Sequence, residues 1–160
     1  MPDPEIVTLR EAVQARPAMW FGDHPTADWP VVIALWTART LFEYTTGDLA
    51  KVELTLHGDG ALSATCHGTD RFPPEEEIRR RMWWMELARS TAITLTGAQD
   101  HINVRIEIEP ELIGVGPGAW WHQGLDRLRR ISAVPHFQLA AGHCIVATDE
   151  ATGASAMLEA

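Results

Sequence analysis

The stretch KVELTLHGDGALSATCH, residues 51–67, decides the fold class of this chain. On each side of the turn at 58–60, apolar and polar residues alternate, which is typical of a strand with one buried face. Two such runs joined by a short glycine-containing turn predict a β-hairpin. The alternation directs Cys66 toward the apolar face and His67 toward the other face.

Helical and strand signals alternate on both sides of this hairpin. A capping box of Thr8 and Glu11 predicts a short first helix, and Asp28 is predicted to cap a second, mostly buried one. The predicted elements in chain order are a helix over 8–16, a loop over 17–28, a helix over 28–45, the hairpin over 51–67, a helix over 74–89, a hairpin over 91–109, a helix over 119–131 and a hairpin over 136–148. This order predicts an α+β fold, a two-layer sandwich with helices packed on one face of a largely antiparallel mixed sheet.

Length and charge restrict the class of protein. The 160 residues, 46% hydrophobic and 22% charged, predict one globular domain over 1–160, with a short arm at 1–7 and a tail at 149–160 that is expected to fray. The formal net charge of -9 argues against nucleic acid or an anionic membrane as partners. Apolar runs are too short for a membrane span, and the N-terminus lacks a signal-peptide pattern. With only two cysteines, a cytoplasmic protein is expected.

Two segments resemble a known family. Residues 9–22, LREAVQARPAMWFG, resemble the LEAVRKRPGMYIG opening of the DNA gyrase B ATPase domain. Residues 47–68, GDLAKVELTLHGDGALSATCHG, resemble the strand pair of the same domain that leads into its DDGRG motif. The resemblance covers about residues 8–73 and is to the GHKL superfamily. It implies a helix-over-sheet sandwich that holds ATP between its two layers.

The family's catalytic positions are changed in this chain. The resemblance places the Glu that activates water at Leu35 and the magnesium-binding Asn at Arg39. It places the Asp that accepts from adenine at Cys66, and of DDGRG only Gly68 survives. The predicted helix over 74–89 stands where the family has a long loop, and the glycine-rich lid is missing. Because magnesium and charge stabilisation dominate phosphoryl transfer, the sequence predicts no ATP hydrolysis.

The resemblance also implies which residues line the rebuilt cleft. Arg39 suits the carboxylate or enolate of an apolar ligand. His67 and Asp70 are candidates for acid–base work at the mouth, with Glu43 one helical turn beyond Arg39 on the same face. The lining residues that the resemblance implies are Leu35, Arg39, Cys66, Gly68 and Phe72. Three further residues, Trp36, Trp83 and Trp84, are candidates for an aromatic wall of the same cleft.

Several of these residues also have a purely structural interpretation. Arg39 and Glu43 are spaced for an i,i+4 salt bridge. Cys66 fits a small core residue and His67 an ordinary strand end. Trp83 and Trp84 fit core packing, while Trp120 and Trp121 would suit a partner surface or a ligand lid if exposed.

Three functions remain open from the sequence. The favoured one is an ATP-independent small-molecule-binding protein, or a cofactor-independent tailoring enzyme of the cyclase, isomerase or lyase type. Its partner would be an apolar small molecule bearing a carboxylate or enolate, and a homodimer stays open. The first alternative is a catalytically inactive pseudo-ATPase that acts through protein–protein contact. The second is a protein that still binds a nucleotide but does not hydrolyse it. The scattered histidines have no metal-ligand spacing, so no metal or cofactor is expected.

Overall fold

A computed structural model describes residues 8–45, 50–67, 72–97, 100–108 and 123–159. Its six strands form one mixed sheet in the order β3-β4-β2-β1-β5-β6. The strands are β1 Ala50–Leu56, β2 Ala61–His67, β3 Ala88–Thr96, β4 His101–Ile108, β5 His143–Asp149 and β6 Ser155–Glu159. The helices are α1 Leu9–Ala15, α2 Pro17–Phe21, α3 Trp29–Glu43, α4 Glu75–Arg81 and α5 Gly124–Ser132. The predicted α+β class is confirmed.

The hairpin predicted at 51–67 forms β1 and β2. Val52 pairs with Cys66 and Leu54 with Ala64 across the antiparallel ladder, and all four side chains are buried. Gly60 closes the turn with a φ of 91°, which favours glycine. Cys66 faces the core and His67 is exposed at the strand end, as the alternation predicts.

Helix α3 lies at the centre of the helical layer. Three of its sides are apolar, and they pack on β1 and β2, on α5 and on the segment Trp83–Leu87, which is a 3-10 helix. A helix that is apolar nearly all round is stable only when neighbours cover it. The side that remains accessible carries Arg39 and Glu43, and this side forms part of the candidate site.

The start of the chain follows one sequence prediction and departs from another. The predicted capping box is present, since Thr8 Oγ1 accepts from the Glu11 amide at 3.2 Å and Glu11 Oε2 accepts from the Thr8 amide at 2.8 Å. The loop predicted over 17–28 instead contains α2, with Pro17 at its first position, where a missing N–H costs nothing.

Asp28 does not cap α3 with its side chain. Its buried carboxylate accepts two hydrogen bonds from Arg130 Nη2, both at 3.0 Å, and lies 3.7 Å from Arg127 Nε. The carboxylate therefore joins the beginning of α3 to α5. A charged partner satisfies a buried carboxylate better than one backbone amide, which explains the departure.

The single helix predicted over 74–89 is divided in two. Helix α4 ends at Arg81, and Met82 adopts φ -100° and ψ 68° before the 3-10 helix begins. In a straight helix, Leu87 would lie on the side opposite Ile78, and Trp84 would lie about 120° away from it. The break allows all three side chains to be buried.

The last predicted hairpin is wrong in its boundaries. Residues 138–142 contain no strand, β5 runs parallel to β1, and the segment expected to fray contains edge strand β6. The turn between β5 and β6 is closed by Asp149, whose Oδ1 accepts from the Ala151 amide at 3.0 Å, and by Gly153 at φ 73°. Ala156 and Leu158 alternate with exposed neighbours, so the period-two signal was present.

Candidate functional site

An open cleft of about 610 Å³ lies beside α3, between that helix and the segment Arg81–Trp84. We call it the tryptophan cleft. Its lining residues are Trp36, Arg39, Thr40, Glu43, Arg81, Trp83 and Trp84. Every one of these comes from the helical layer, so in the described part of the chain the cleft is bounded by helices and not by the sheet.

The apolar wall of the tryptophan cleft is held by ring packing. Trp36 lies with its ring centroid 5.5 Å from those of both Trp83 and Trp84. Behind them, Phe21 stacks on Trp29 at 4.3 Å and on Trp36 at 5.2 Å. Because each ring is packed against others, the wall is rigid before any ligand arrives.

Trp84 is the most buried ring of the wall, with 5% of its surface exposed. Its Nε1 donates to Thr37 Oγ1 at 3.0 Å, and the Thr37 hydroxyl donates in turn to the Ile33 carbonyl at 2.8 Å. Trp83 and Trp36 are only half-buried. The wall therefore has one anchored ring and two rings that reach the cleft surface.

The polar rim of the tryptophan cleft carries positively and negatively charged side chains. Arg81 Nη1 donates to Glu43 Oε2 at 2.7 Å, and the Arg81 guanidinium lies 5.5 Å from the centre of the Tyr44 ring. Burial raises the pKa of the Tyr44 hydroxyl, and the positive charge of Arg81 opposes that rise. Arg39 lies on the rim and also lines a smaller cleft of about 200 Å³ that extends to His143. Two guanidiniums and one carboxylate thus border one aromatic wall.

The structure brings together five of the predicted site residues at this cleft, namely Trp36, Arg39, Glu43, Trp83 and Trp84. Leu35, Cys66 and Phe72 lie instead in the hydrophobic core, with 1%, 0% and 2% of their surfaces exposed. Gly68 and Asp70 lie outside the described residues, as do Trp120 and Trp121.

His67 lies away from the tryptophan cleft. It stands at the end of β2, where its ring lies 4.2 Å from that of His101 on β4. Its role at a ligand site, like the roles of the other predicted catalytic residues, stays a prediction.

Sequence reasoning missed two lining residues, Arg81 and Thr40. The spacing of Glu75–Glu77 and Arg79–Arg81 fits i,i+4 pairs along one helix, and Arg79 does pair with Glu75 at 2.9 Å. Arg81 is the last residue of α4, and it reaches across to Glu43 on α3 instead. Because the sequence predicts one helix over 74–89, it gives no signal that Arg81 lies at a helix end or contacts α3.

The predicted cleft residue Cys66 is a buried thiol. Burial raises its pKa to about 11, and its Sγ lies 3.7 Å from the His67 carbonyl. A thiol is reactive as the thiolate, so this group is inert near neutral pH. Burial and the nearby Glu159 also raise the pKa of the Cys144 thiol, but Cys144 is only half-buried. We therefore expect a thiol reagent at about pH 8 to modify Cys144 first and Cys66 only after unfolding. Mass spectrometry of the modified peptides checks this order.

The same shift predicts a loss of stability at alkaline pH. The unfolded chain ionises Cys66 near its ordinary pKa of 9.0, whereas the folded chain keeps it protonated to about 11. The protonated Cys66 thiol therefore contributes fully to the free energy of unfolding below the pKa of the unfolded chain. That contribution is lost as pH rises through the pKa of the folded chain. Urea unfolding of the wild type and Cys66→Ala between these two values should show a steeper decline for the wild type. Parallel declines would contradict the assignment.

Two further observations describe the chain outside this cleft. Within the described ranges, no three His, Cys, Asp or Glu side chains lie close enough to share a metal ion. Every helix in those ranges is too short or too polar to traverse a bilayer.

The sheet order, the helical layer and the buried α3 make a fold that is similar to those of solved ATP-binding domains of topoisomerase IV and gyrase B. The ATP-binding domain of topoisomerase IV from Francisella tularensis, solved with a small-molecule inhibitor, is similar with a TM-score of 0.56 and 12% identity over 97% of each chain. The 43K ATPase domain of Thermus thermophilus gyrase B, solved with an aminocoumarin, is similar with a TM-score of 0.54 and 17% identity. This chain is covered over 94% of its length and spans 51% of that domain.

These likenesses confirm the resemblance to the gyrase B ATPase domain at the level of the fold. Comparison with family models and with curated proteins gives no match. At identities of 12% and 17%, similarity extends to the backbone and not to the chemistry of the site.

Proposed function

We propose that this protein binds a flat, apolar, anionic small molecule in the tryptophan cleft without using ATP. The observation that carries the proposal is the meeting of three indole rings with Arg39 and Arg81 at one open cleft of about 610 Å³. Ligand sites in proteins are concave, mostly apolar, of about 300–1,000 Å³, and contain a few placed polar groups.

The aromatic wall selects the shape of the ligand. Two half-buried indoles, Trp36 and Trp83, offer flat surfaces that would gain area when a planar ring system covers them. The rings are already packed, so little conformational entropy is lost on binding. A planar aromatic or polyene ligand is therefore favoured over a flexible chain.

The rim selects the charge of the ligand. Two guanidiniums, those of Arg39 and Arg81, line the cleft in a protein whose formal net charge is -9. A guanidinium presents a fork of donors that matches a carboxylate or enolate. An anion would compete with Glu43 for Arg81, and Glu43 would then become available as a base.

Core packing supports the ATP-independent part of the proposal. Leu35, at the family's base position, and Cys66, at its adenine-acceptor position, are both closed off in the core. Neither side chain accepts a proton or a hydrogen bond as a carboxylate does. A nucleotide held as in the family would have to displace these apolar side chains.

A tailoring reaction of the isomerase or lyase type is the second candidate. Glu43 favours it because its carboxylate lies in the cleft, 2.7 Å from Arg81 Nη1. In such a reaction Glu43 would take a proton from carbon next to the ligand's carbonyl, while Arg39 and Arg81 stabilise the enolate. Deuterium exchange from a bound β-keto acid into solvent would separate this enzyme from a pure binder.

Binding of 2-naphthoate tests the proposal. We expect it to quench tryptophan fluorescence at saturation and to bind more tightly than the neutral 2-naphthalenemethanol. Arg39→Ala and Arg81→Ala should each weaken binding about 10-fold or more, since a hydrogen bond to a charged group contributes about 1.5–3 kcal/mol. Arg80→Ala on the exposed side of α4 is the matched control, because Arg80 does not line the cleft. Equal affinity for the acid and the alcohol would contradict the proposal.

A nucleotide titration separates the alternatives. A non-hydrolysable ATP analogue with magnesium, at 100 times its dissociation constant, would raise stability by about 2.7 kcal/mol if the family's binding survived. We expect no magnesium-dependent shift in thermal unfolding. A clear shift would restore a nucleotide-binding function, and failure of both ligands would favour a pseudo-ATPase that acts through protein contact.

A further inference from the structure

Three polar side chains form a chain of hydrogen bonds on the face of the sheet away from the helices. His57 Nδ1 lies 2.6 Å from Glu150 Oε2, and His57 Nε2 lies 2.7 Å from Ser63 Oγ. The His57 side chain is 23% exposed and that of Glu150 57% exposed. Both nitrogens of one imidazole are thus engaged, one by a carboxylate and the other by a hydroxyl.

Strand register produces this juxtaposition. The parallel ladder pairs Ala50 with His143 and Leu56 with Asp149, so the next residues, His57 and Glu150, lie side by side. The Glu150 amide donates to the Leu56 carbonyl at 3.0 Å and continues the ladder to this point. In the hairpin Thr55 pairs with Ser63, which makes Ser63 the diagonal neighbour of His57 on the same face.

We propose that Ser63, His57 and Glu150 form a catalytic triad that hydrolyses small, activated carboxylic esters. A nucleophile within hydrogen-bond reach of a base, and a base oriented by a carboxylate, are the two geometric requirements for an activated serine. Both requirements are met here at 2.6–2.7 Å. The site is separate from the tryptophan cleft, and its test does not depend on the ligand of that cleft.

The reaction balances with water as the only co-reactant. Ser63 Oγ forms a bond to the ester carbonyl carbon while its proton passes to His57 Nε2. The carbon–oxygen bond to the leaving group breaks, and the leaving alkoxide or phenoxide takes that proton from His57. Water then attacks the acyl-serine with His57 again as base, which releases the acid and restores the Ser63 hydroxyl. Glu150 keeps the Nδ1 proton in place throughout and stabilises the imidazolium.

A cation stands beside the proposed nucleophile. Arg105 on β4 is the register partner of Ser63, so the two side chains are neighbours on this face. Arg105 Nη2 pairs with Asp59 at 2.9 Å and with Glu107 at 3.5 Å, whereas its Nη1 has no hydrogen-bond partner among the described residues. Its charge would stabilise the oxyanion that forms on the carbonyl oxygen.

The openness of this face determines the substrate class. Neither the tryptophan cleft nor the smaller cleft beside it is lined by the triad, and the Glu150 side chain is 57% exposed. So exposed a carboxylate does not help to enclose a large acyl or alcohol group. The triad would therefore act on small esters with good leaving groups, for which binding contributes little.

Hydrolysis of p-nitrophenyl acetate by the full chain tests the proposal. After the uncatalysed rate is subtracted, we expect Ser63→Ala to lower the rate of hydrolysis by about 100-fold. This is the low end of what general acid–base catalysis usually contributes. Ser132→Ala is the control, because Ser132 lies on α5 with its hydroxyl on the Arg129 carbonyl, and it should leave the rate unchanged. A fluorophosphonate should label Ser63, with tandem mass spectrometry locating the adduct. Unchanged hydrolysis in Ser63→Ala together with no adduct on Ser63 would overturn the triad.

Glu150 is a positioning residue, and its test separates catalysis from folding. Glu150→Gln should slow fluorophosphonate labelling of Ser63 at least 10-fold with an unchanged melting temperature, because an amide holds the wrong imidazole tautomer. Glu150→Asp should restore part of the labelling rate, since it returns the carboxylate. Equal labelling in Glu150→Gln and the wild type would remove Glu150 from the site.

Discussion

Replacing Trp84 by alanine is expected to lower the free energy of unfolding by about 3–5 kcal/mol, the cost of deleting a large buried aromatic side chain. The indole is 5% exposed and packs against Trp36 and Trp83. Its removal would leave a cavity between α3 and the segment Trp83–Leu87, which the rigid aromatic cluster cannot close. Urea unfolding followed by circular dichroism measures the difference.

Two matched variants separate the stability lost with the Trp84 ring from the stability lost with its hydrogen bond. Trp84→Phe keeps much of the aromatic ring but loses the hydrogen bond to Thr37. We expect the free energy of unfolding to fall by about 1–3 kcal/mol, because a buried hydrogen-bonding group loses its partner and a small cavity remains. Thr37→Val removes the same acceptor but keeps the indole, and a similar loss should follow. A loss below about 1 kcal/mol in Trp84→Ala would show that the ring is not part of the core.

Asp28→Ala should give the second large effect, a loss of about 2–3 kcal/mol, somewhat less than the 3–5 kcal/mol typical of breaking a buried ion pair. The carboxylate is 3% exposed and joins α3 to Arg127 and Arg130 of α5. The loss is reduced because the Arg130 side chain is 62% exposed and regains water when its partner is removed. Urea unfolding monitored by fluorescence measures the change.

Asp126→Ala is the control for the Asp28 variant. Asp126 pairs with Arg129 at 3.3 Å on the same helix, but its side chain is 76% exposed. An exposed pair contributes about 0–1 kcal/mol, so this variant should change stability little. If Asp28→Ala and Asp126→Ala had equal effects, burial of the Asp28 carboxylate would not be what holds α5 against α3.

Much of the fold could be predicted from short-range patterns. The alternation in 51–67 predicted β1 and β2, and the capping box at Thr8 predicted the start of α1. The apolar run between Asp28 and Glu43 predicted a buried helix, which α3 is. These features succeed because strand alternation and helix capping depend on residues two to four positions apart.

The errors fall where distant contacts override a local signal. The helix predicted over 74–89 breaks at Met82 so that Trp84 and Leu87 can join the core. The last hairpin is displaced because β5 pairs with β1 in parallel, an arrangement that no turn signal encodes. The Asp28 side chain accepts from Arg130, which is 102 residues away, instead of capping α3.

The candidate site could be predicted in part. The resemblance implied Arg39 as a lining residue, and helical spacing then placed Glu43 on the same face of α3. Trp36 was a candidate for the aromatic wall and does line the cleft. The spacing of Glu77 and Arg81 fits an i,i+4 pair on one helix and gives no sign of a contact with α3. The contact of Arg81 with Glu43 depends on how α4 lies against α3, which the sequence pattern does not encode.

The sequence by itself determined the α+β class, the central hairpin, the buried helix and the resemblance to a GHKL domain. Only the tertiary structure decided that the open cleft lies between α3 and Arg81–Trp84, while Leu35 and Cys66 are sealed in the core. It alone placed His57 beside Glu150, 93 residues away. The physical reason is that periodicity and capping act within a few residues, whereas sheet register and helix packing are decided by the burial of the whole chain.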